Sequence, residues 1–400
     1  MKSKIILLLI ASFFLHNLQA QDENGWNKLA LTPPMGWNSW NTFREEINED
    51  LVKGIADVFI EKGLKDAGYQ FIVIDDSWQT DRDKSGNIIV DAEKFPSGIK
   101  NLADYIHSKG LKFGLYSDAG YMTCGRHPGS LGYEYQDARQ YAAWEVDYLK
   151  YDWCFTGNQS APDSYQLMSK ALKKAGRPIV FSICEWGTTQ PWTWGEGIGN
   201  LWRTTFDIRP CWDCGEKRHS KGFQVENFIG FTKILDLQVG LESYSGPGHW
   251  NDPDMLEVGN GKLTIDENKA HFSLWAILAA PLMLGNDVRA ITPDVLEIIT
   301  NKEVIAIDQD ILGKQGKKIR DDGDFEVWAR ELADGGRGVI LFNRSEESAK
   351  ISVKWNEIGY PNHLEATVRD LWKKETVGKF KDGYSSQVPS HGVVMIKVMP

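Results

Sequence analysis

The feature that most constrains the fold is a recurring unit, in which a short apolar run ends in polar or acidic residues and a stretch with helical spacing follows. Between about residue 32 and residue 285, eight such units can be placed. Strand–helix alternation of this kind gives parallel strands, and eight units in about 250 residues close into a (β/α)8 barrel. The eight predicted strands are Met35–Trp37, Tyr69–Ile74, Leu111–Tyr116, Val146–Tyr151, Pro178–Ile183, Leu201–Arg203, Gly248–Trp250 and Trp275–Leu278.

The segments between these runs support an α/β fold. In Ile55–Ala67, Gly98–Lys109 and Asp137–Glu145 apolar residues recur at intervals of three and four, as in helices that cover a sheet. An open doubly wound sheet is the rival fold, but no glycine-rich dinucleotide loop follows an early strand. We therefore predict a TIM barrel over residues 21–310.

A second domain is predicted over residues 311–400. Short strand-like runs, separated by turn signals such as Asp321-Asp322-Gly323, replace the strand–helix alternation after about Asp308. No segment with a helical pattern intervenes, which indicates a small antiparallel β-sandwich domain that covers one side of the barrel. The runs are Phe325–Ala329, Gly338–Phe342, Ile351–Trp355 and Val393–Val398.

Residues 1–20 have the pattern of a secretory signal peptide. Two lysines precede an apolar run, and Leu18-Gln19-Ala20 supplies a small residue at the cleavage site. The run is short for a membrane span, which needs roughly 20 residues. We predict a secreted or periplasmic protein, and the sequence does not choose between periplasm, cell surface and medium.

Composition excludes several classes of partner. The chain carries 55 acidic and 45 basic residues, and this acidic balance disfavours nucleic acids and anionic membranes. After the signal peptide no apolar stretch of about 20 residues follows, so no membrane span is predicted. The 16 Trp and 13 Tyr residues suit a carbohydrate, because their rings pack against sugars. The oligomeric state is not fixed by the sequence, and a homo-oligomer stays open.

The chain has five cysteines, an odd number, so at least one thiol has no partner within the chain. Cys211 and Cys214 form a C-x-x-C motif, but no second C-x-x-C and no H-x-x-x-H accompanies it. A disulfide is therefore preferred over a metal site, and we predict no metal.

Acidic residues follow most of the predicted strands. Barrel enzymes place their site at these C-terminal strand ends, and glycoside hydrolysis needs two carboxyl groups. Several of the carboxylates could instead cap the following helices or bind a cation. The carboxylates are Asp75, Asp76, Asp118, Asp152, Glu185, Asp207, Asp252 and Asp254, and the nearby tryptophans are Trp37, Trp40, Trp78, Trp153, Trp186 and Trp202.

Four motifs, in order along the chain, resemble the α-galactosidases of glycoside hydrolase family 27. They are Leu31–Trp40 (LTPPMGWNSW), Ile74–Trp78 (IDDSW), Lys150–Asp152 (KYD) and Trp250–Met255 (WNDPDM). The resemblance runs from about Leu29 to the end of the chain and includes the β domain. It implies hydrolysis with retention of configuration through a covalent glycosyl-enzyme.

The resemblance assigns Asp152 as the nucleophile and Asp207 as the general acid/base. Lys150 lies two residues before Asp152, so both side chains point to one face of a strand. A nearby ammonium would hold Asp152 ionised, as a nucleophile requires. Asp207 must keep its proton until the leaving oxygen takes it, which calls for burial or a neighbouring carboxylate.

The resemblance also implies the sugar contacts. Asp75 and Asp76 would bind the 4- and 6-hydroxyls of galactose, and Lys150 the 3- and 4-hydroxyls. Glu185 would fill the space beside the 2-hydroxyl, which argues against an acetamido group there. The full set of implied contacts is Trp40, Asp75, Asp76, Tyr116, Lys150, Glu185, Arg203, Asp254 and Met255.

Departures from the family concern the cysteines and one loop. Ser77 stands where many eukaryotic members have a cysteine. The family pattern implies a disulfide between Cys124 and Cys154, and leaves Cys184 as a buried, inert free thiol. The segment 208–222 looks unlike the usual loop after the acid/base, so the leaving-group preference stays open.

The sequence thus predicts a retaining exo-α-galactosidase that removes terminal α-D-galactosyl residues from oligo- or polysaccharides. A β-L-arabinopyranosidase with the same mechanism is one alternative, because that sugar is galactose without its C6 group. A non-catalytic sugar-binding protein is another, but the intact Asp152 and Asp207 argue against it. The mechanism needs no cofactor, and we expect EDTA to leave the activity unchanged.

Overall fold

The computed structural model describes residues 25–220 and 223–400, and the predicted signal peptide lies outside them. Its centre is a curled sheet of eight parallel strands, which confirms the predicted barrel. The strands lie around the sheet in chain order, with the eighth beside the first. They are Met35–Asn38, Phe71–Val73, Lys112–Asp118, Tyr148–Asp152, Val180–Cys184, Leu201–Arg203, Trp250–Asp252 and Leu282–Leu284.

The barrel closes through a residue that follows the seventh strand. The seventh and eighth strands do not share a continuous ladder. Instead, Leu256 forms a parallel bridge to Leu284. The Leu256 amide donates to the carbonyl of Met283 over 2.7 Å, and the Gly285 amide donates to the carbonyl of Leu256 over 3.0 Å. The chain between the seventh strand and this bridge is therefore held over the top of the barrel.

Helices cover the outside of the barrel unevenly. The crossover after the fifth strand contains only the 3-10 turn Pro191–Thr193, whereas the other crossovers contain at least one α-helix. The α-helices are Trp40–Phe43, Glu49–Glu61, Leu64–Ala67, Ile99–Ser108, Glu134–Ala143, Ala161–Ala175, Phe231–Asp236, Ile265–Ile277, Pro293–Ile299 and Lys302–Asp308; further 3-10 turns are Trp26–Lys28, Glu242–Tyr244 and Trp355–Ile358. Among the described residues, no helix is both long and apolar enough to cross a membrane.

The prediction of an eighth strand at Trp275–Leu278 was wrong. Trp275 lies near the end of the helix Ile265–Ile277, and the eighth strand is Leu282–Leu284. This helix is buried on nearly all sides, since it packs against both the barrel and the C-terminal sheet. A helix without a polar face lacks the three-to-four spacing, so its apolar run looks like a buried strand.

The C-terminal domain is an antiparallel β-sandwich, as predicted. A six-stranded sheet packs against a two-stranded one. The six strands are Lys317–Asp321, Phe325–Glu331, Arg337–Asn343, Glu365–Asp370, Glu375–Lys381 and Val393–Met399, and the two are Ala349–Lys354 and Gly383–Val388. Two further hairpins belong to the barrel loops, formed by Gln79–Arg82 with Ile88–Val90 and by Gly215–Ser220 with Phe223–Ile229.

The six-stranded sheet contributes to two cores. Along its strands, alternate side chains point to opposite faces. Trp328 and Phe342 join the core that contains the barrel helices. Val327 and Leu341 join a separate core inside the sandwich. The β domain is therefore packed into the barrel rather than tethered to it.

Candidate active site

A cavity of about 300 Å³ opens at the C-terminal ends of the barrel strands. Barrel enzymes bind their substrates at this end. Five of the eight predicted carboxylates and both residues of the disulfide Cys124–Cys154 line the cavity. The lining residues are Trp40, Asn41, Arg44, Asp75, Asp76, Tyr116, Cys124, Lys150, Asp152, Cys154, Trp186, Arg203, Phe206, Asp207, Phe228, Asp254 and Met255.

Asp152 is the last residue of the fourth strand and projects into this cavity. The Tyr116 hydroxyl donates to its Oδ2 over 2.9 Å, from the neighbouring third strand. Burial raises the pKa of Asp152 to about 7, Lys150 opposes the rise, and Asp207 and Asp75 add to it. The carboxylate is thus buried and close to its ionisation point near neutral pH.

Lys150 shares the inward face of the strand with Asp152, as expected from their spacing. Its direct partner, however, is Asp75, whose Oδ2 lies 2.8 Å from the ammonium. The same oxygen accepts a hydrogen bond from Nδ2 of Asn38 over 2.8 Å. Lys150 therefore acts on Asp152 through space, without an ion pair, while it fixes the Asp75 carboxylate in the floor of the cavity.

Asp76 is held by the loop that carries the Cys124–Cys154 disulfide. The Gly125 amide donates to Oδ2 of Asp76 over 2.7 Å. A Cβ atom on Gly125 would lie 2.9 Å from the same oxygen, so only glycine permits this approach. Burial raises the pKa of Asp76.

Arg203 connects two carboxylates on the opposite wall. It is buried and lies 2.8 Å from Asp254 and 3.1 Å from Asp207. Asp254 also accepts from the Ile208 amide over 2.9 Å and from the Met255 amide over 2.8 Å, so two of its three partners, Arg203 and Ile208, lie close to Asp207 in the chain. The side chain of Asp207 is 40% exposed, so of the two expected features, burial or a neighbouring carboxylate, only the second is present, in Asp152 and Asp254.

Three predicted carboxylates, Asp118, Glu185 and Asp252, do not line this cavity. Glu185 is buried and its Oε2 accepts from the hydroxyl of Thr188 and the amide of Thr189, over 2.5 and 2.8 Å. Its Oε1 has no hydrogen-bond partner among the described residues. Glu185 does not line the cavity, whereas its neighbour Trp186 does. The contact of Glu185 with the 2-hydroxyl stays a prediction.

The other two predicted carboxylates that do not line the cavity are Asp118 and Asp252. Asp118 is buried and accepts from the amides of Gly120 and Cys154 over 2.7 and 2.9 Å. Burial raises its pKa well above the usual range. Burial also raises the pKa of Asp252 to about 6, and Arg203 opposes this rise. Neither residue lines the cavity of about 300 Å³, and Asp252 lines a smaller adjoining cavity together with Lys150, Arg203 and Asp254.

Of the six tryptophans expected near the sugar, only two line the cavity. Trp40 and Trp186 do so. Trp37, Trp78 and Trp202 are fully buried core residues. The sixth, Trp153, stacks on Tyr165 with ring centroids 5.6 Å apart. Most of these rings therefore supply core volume.

Sequence reasoning missed four lining residues: Asn41, Arg44, Phe206 and Phe228. Phe206 precedes Asp207, and Asn41 and Arg44 follow Trp40 within one turn, so their neighbours could have indicated them. Phe228 carried no signal, because a hairpin brings it to the cavity from 21 positions beyond Asp207.

The cysteines divide into two disulfides and one thiol. Cys124–Cys154 and Cys211–Cys214 are bonded, and Cys184 is free and buried. Cys124 and Cys154 lie near Asp118 and Asp152 in a group that could suit a metal ion. Because the two sulfurs are bonded to each other, they do not offer thiolate ligands.

Comparison with known proteins agrees with this geometry. Residues 32–310 match the family described as alpha galactosidase A, and residues 322–398 match the alpha galactosidase C-terminal beta sandwich domain. Alpha-galactosidase A of Cellvibrio japonicus is 46% identical, with all of both chains covered. The alpha-galactosidase of Cyamopsis tetragonoloba is 48% identical over 94% of this chain and 88% of its own length.

The solved structures give the same result. Alpha-galactosidase I from Mortierella vinacea superposes with a TM-score of 0.89 and 40% identity, over 94% of this chain and 98% of its own. The family matches span both domains, and the carboxylates of the motifs meet in one cavity. The chain belongs to the α-galactosidases of glycoside hydrolase family 27.

Proposed function

We propose that this chain is a retaining exo-α-galactosidase in which Asp152 is the nucleophile and Asp207 the acid/base. The observation that carries the proposal is that one cavity holds both carboxylates, with the Asp75–Lys150 pair at its base. Asp75, Asp76, Tyr116 and Asp254 of the lining are buried, which supports binding of the end of a sugar chain rather than an internal unit.

In the first step, an oxygen of Asp152 attacks C1 of the galactosyl unit. The bond from C1 to the glycosidic oxygen breaks, and Asp207 gives its proton to that oxygen as the alcohol leaves. The exposure of Asp207 suits this role, because the leaving group must reach it from outside. In the second step, Asp207 takes a proton from water, the water oxygen attacks C1, and Asp152 is released with galactose in its original anomeric configuration.

Recognition of galactose is assigned to the buried charged groups. Asp75 and Asp76 offer carboxylate oxygens at the base of the cavity, and Lys150 offers an ammonium beside them. Such groups hydrogen-bond strongly to sugar hydroxyls in a site that excludes water. Trp40 and Met255 supply apolar surface for the ring, while Arg203 and Asp254 complete the opposite wall.

The two disulfides support a proposal on location. Disulfides persist in oxidising compartments such as the periplasm or the extracellular medium. Cys124–Cys154 lies at the site itself, so its integrity is needed there. Together with the leader-like segment 1–20, this favours a secreted or periplasmic enzyme.

Azide distinguishes the two carboxylate roles. With an aryl α-galactoside and azide, Asp152→Ala should form β-galactosyl azide, because azide takes the place of the nucleophile. Asp207→Ala should form α-galactosyl azide, because azide attacks the glycosyl-enzyme from the other face. If Asp152→Ala formed the α-azide and Asp207→Ala the β-azide, Asp207 would be the nucleophile and Asp152 the acid/base. Removal of an exposed carboxylate by Asp83→Ala is the matched control and should form no azide product.

The sugar itself is tested with the wild-type enzyme on two aryl substrates, the α-D-galactopyranoside and the β-L-arabinopyranoside. A higher kcat/KM on the galactoside supports the proposal. Preference for the arabinoside would mean that the C6 space is filled. Absence of turnover on both, with galactose still bound, would indicate a sugar-binding protein.

A further inference from the structure

One element at the mouth of the cavity has no part in the two steps described above. It is the hairpin formed by Gly215–Ser220 and Phe223–Ile229, between the acid/base and the helix Phe231–Asp236. Its ladder shifts between Asn227 and Ile229, so Phe228 is the extra residue of a β-bulge. Bulges next to active sites redirect a side chain.

The backbone at Phe228 is costly to maintain. Its φ is +63°, in the left-handed region that aromatic residues rarely adopt. A glycine would adopt this conformation without strain. Strain of this kind persists where the surrounding structure imposes it, and it clusters at functional sites. The bulge places Phe228 on the wall of the cavity that holds Asp152 and Asp207.

Phe228 is tied directly to the acid/base segment. The Ile229 amide donates to the carbonyl of Asp207 over 3.1 Å, and the Arg209 amide donates to the carbonyl of Ile229 over 2.9 Å. The guanidinium of Arg209 lies over the Phe228 ring, 4.3 Å from its centroid. The ring of Phe228 is therefore stacked against the guanidinium of Arg209, which lies two positions beyond the proton donor.

The position of Phe228 and Arg209 beside Asp207 determines which part of a substrate they would contact. The acid/base gives its proton to the glycosidic oxygen, so groups on its outer side face the sugar that leaves. An aromatic ring offers a surface for the apolar face of a pyranose, and guanidinium N–H groups donate to hydroxyls. We propose that Arg209 and Phe228 form a leaving-group subsite that binds a neutral hexopyranosyl unit. The inference rests on the proposed α-galactosidase function.

The base of the hairpin is rigidly anchored, so the subsite is preformed. The Cys211–Cys214 disulfide closes the turn, and the Gly230 amide donates to the carbonyl of Cys214 over 2.8 Å. Trp212 stacks on His391 of the C-terminal domain, with centroids 4.2 Å apart and planes 12° apart. A preformed surface binds without the entropy cost of ordering a loop.

The test compares two substrates that share the galactosyl group. α-D-Galactosyl-(1→6)-D-glucose carries a sugar as its leaving group, whereas α-galactosyl fluoride carries none. Phe228→Gly and Arg209→Ala should each lower kcat/KM on the disaccharide at least about tenfold more than on the fluoride, the cost of about 1.4 kcal/mol of transition-state contact. Phe228→Tyr, which keeps the ring, should retain the wild-type ratio.

Stability separates this role from a structural one. Phe228→Gly removes the strained φ and should leave Tm at or above the wild-type value, although the disaccharide is hydrolysed poorly. Tyr133→Ala is the matched control, since it removes a ring from another arginine stack, that of Arg82 at 4.0 Å. It should not change the substrate ratio.

Equal losses on both substrates, or none on either, would overturn the leaving-group subsite. Failure of the wild-type enzyme on the fluoride would instead contradict the proposed function. The two failures are therefore distinguishable.

Discussion

The ammonium of Lys150 lies 2.8 Å from Oδ2 of Asp75, and both residues line the cavity, with side chains 13% and 3% exposed. Both groups have lost most of their contact with water, so each depends on the other. The pKa of Lys150, which burial alone would lower, is raised well above its usual range chiefly by Asp75. The lysine is thus a fixed cation between Asp75 and Asp152.

Lys150→Met should destabilise the fold and weaken substrate binding together. The unpaired Asp75 carboxylate would cost about 3–5 kcal/mol of unfolding free energy. KM for an aryl galactoside should rise at least about tenfold, the equivalent of about 1.4 kcal/mol. Denaturant unfolding and steady-state kinetics measure both effects. Lys100→Met, which breaks the exposed pair with Asp104, is the control and should change neither.

The acid limb of the pH profile should report Asp152. A nucleophile must be ionised, and its pKa is raised to about 7 by burial, so kcat/KM should fall as the pH decreases below about 7. Tyr116 donates to the ionised form and lowers this pKa. Tyr116→Phe should therefore move the acid limb to higher pH.

The measurement is kcat/KM on α-galactosyl fluoride as a function of pH. Tyr105→Phe removes a similar tyrosine–aspartate hydrogen bond at the surface, to Asp57, and should leave the limb in place. A Tyr116→Phe limb at lower pH than the wild type would contradict the role given to this hydroxyl.

Cys184 should be chemically inert in the native enzyme. It is 1% exposed, and burial raises the pKa of its thiol well above the usual range, which disfavours the reactive thiolate. A disulfide reagent such as DTNB should titrate no thiol in the native protein and one after unfolding. After unfolding and reduction, all five cysteines should react. Rapid native reaction with loss of activity would mean that the thiol is reachable from the cavity.

Arg330 should be a major contributor to the attachment of the β domain. It is 1% exposed, and its Nη1 donates to the carbonyls of Ala276, Ile307 and Asp308 over 3.1, 2.6 and 3.1 Å. Arg330→Met removes a donor from these three carbonyls, of which only that of Ala276 also accepts from a backbone amide of the described residues, and should cost about 3 kcal/mol or more of unfolding free energy.

Circular dichroism during thermal or denaturant unfolding checks this expectation. Arg369→Met is the matched control, because Arg369 also connects the two domains, through Glu303, but at the surface. It should have a much smaller effect. If the two substitutions lowered the free energy of unfolding equally, the burial of Arg330 would add nothing to the attachment of the β domain.

The fold was predictable where the two faces of a strand or helix meet different surroundings, because the sequence then alternates with the period of that element. Strands such as Tyr148–Asp152 alternate between the cavity and the surrounding helices, and the polar residues at their ends marked the site. The helix Ile265–Ile277 meets apolar neighbours nearly everywhere, so its pattern carried no period. Local sequence cannot reveal that a distant sheet will cover the exposed side of a helix.

The site was predictable to the extent that a residue acts from its own strand. Residues in the last positions of a barrel strand, or within two positions after it, could be predicted from the strand pattern. Four of them line one cavity: Asp75, Lys150, Asp152 and Asp254. Glu185 follows a strand too, but the hydroxyl of Thr188 and the amide of Thr189 bind its carboxylate, and it does not line the cavity. Phe228 depends on the register of a hairpin, which becomes visible only in three dimensions.

The shared core has a consequence for engineering this enzyme. Trp328, Phe342 and Met395 of the β domain belong to the same packed cluster as the barrel helices. A chain shortened after Asp308 would therefore expose the apolar side of the helix Ile265–Ile277, whose Trp275 donates to the carbonyl of Asp254 in the cavity wall over 2.8 Å. Catalytic barrels exchanged between relatives should accordingly be moved together with their own sandwich, since the domain border drawn along the chain is not a border in the packing.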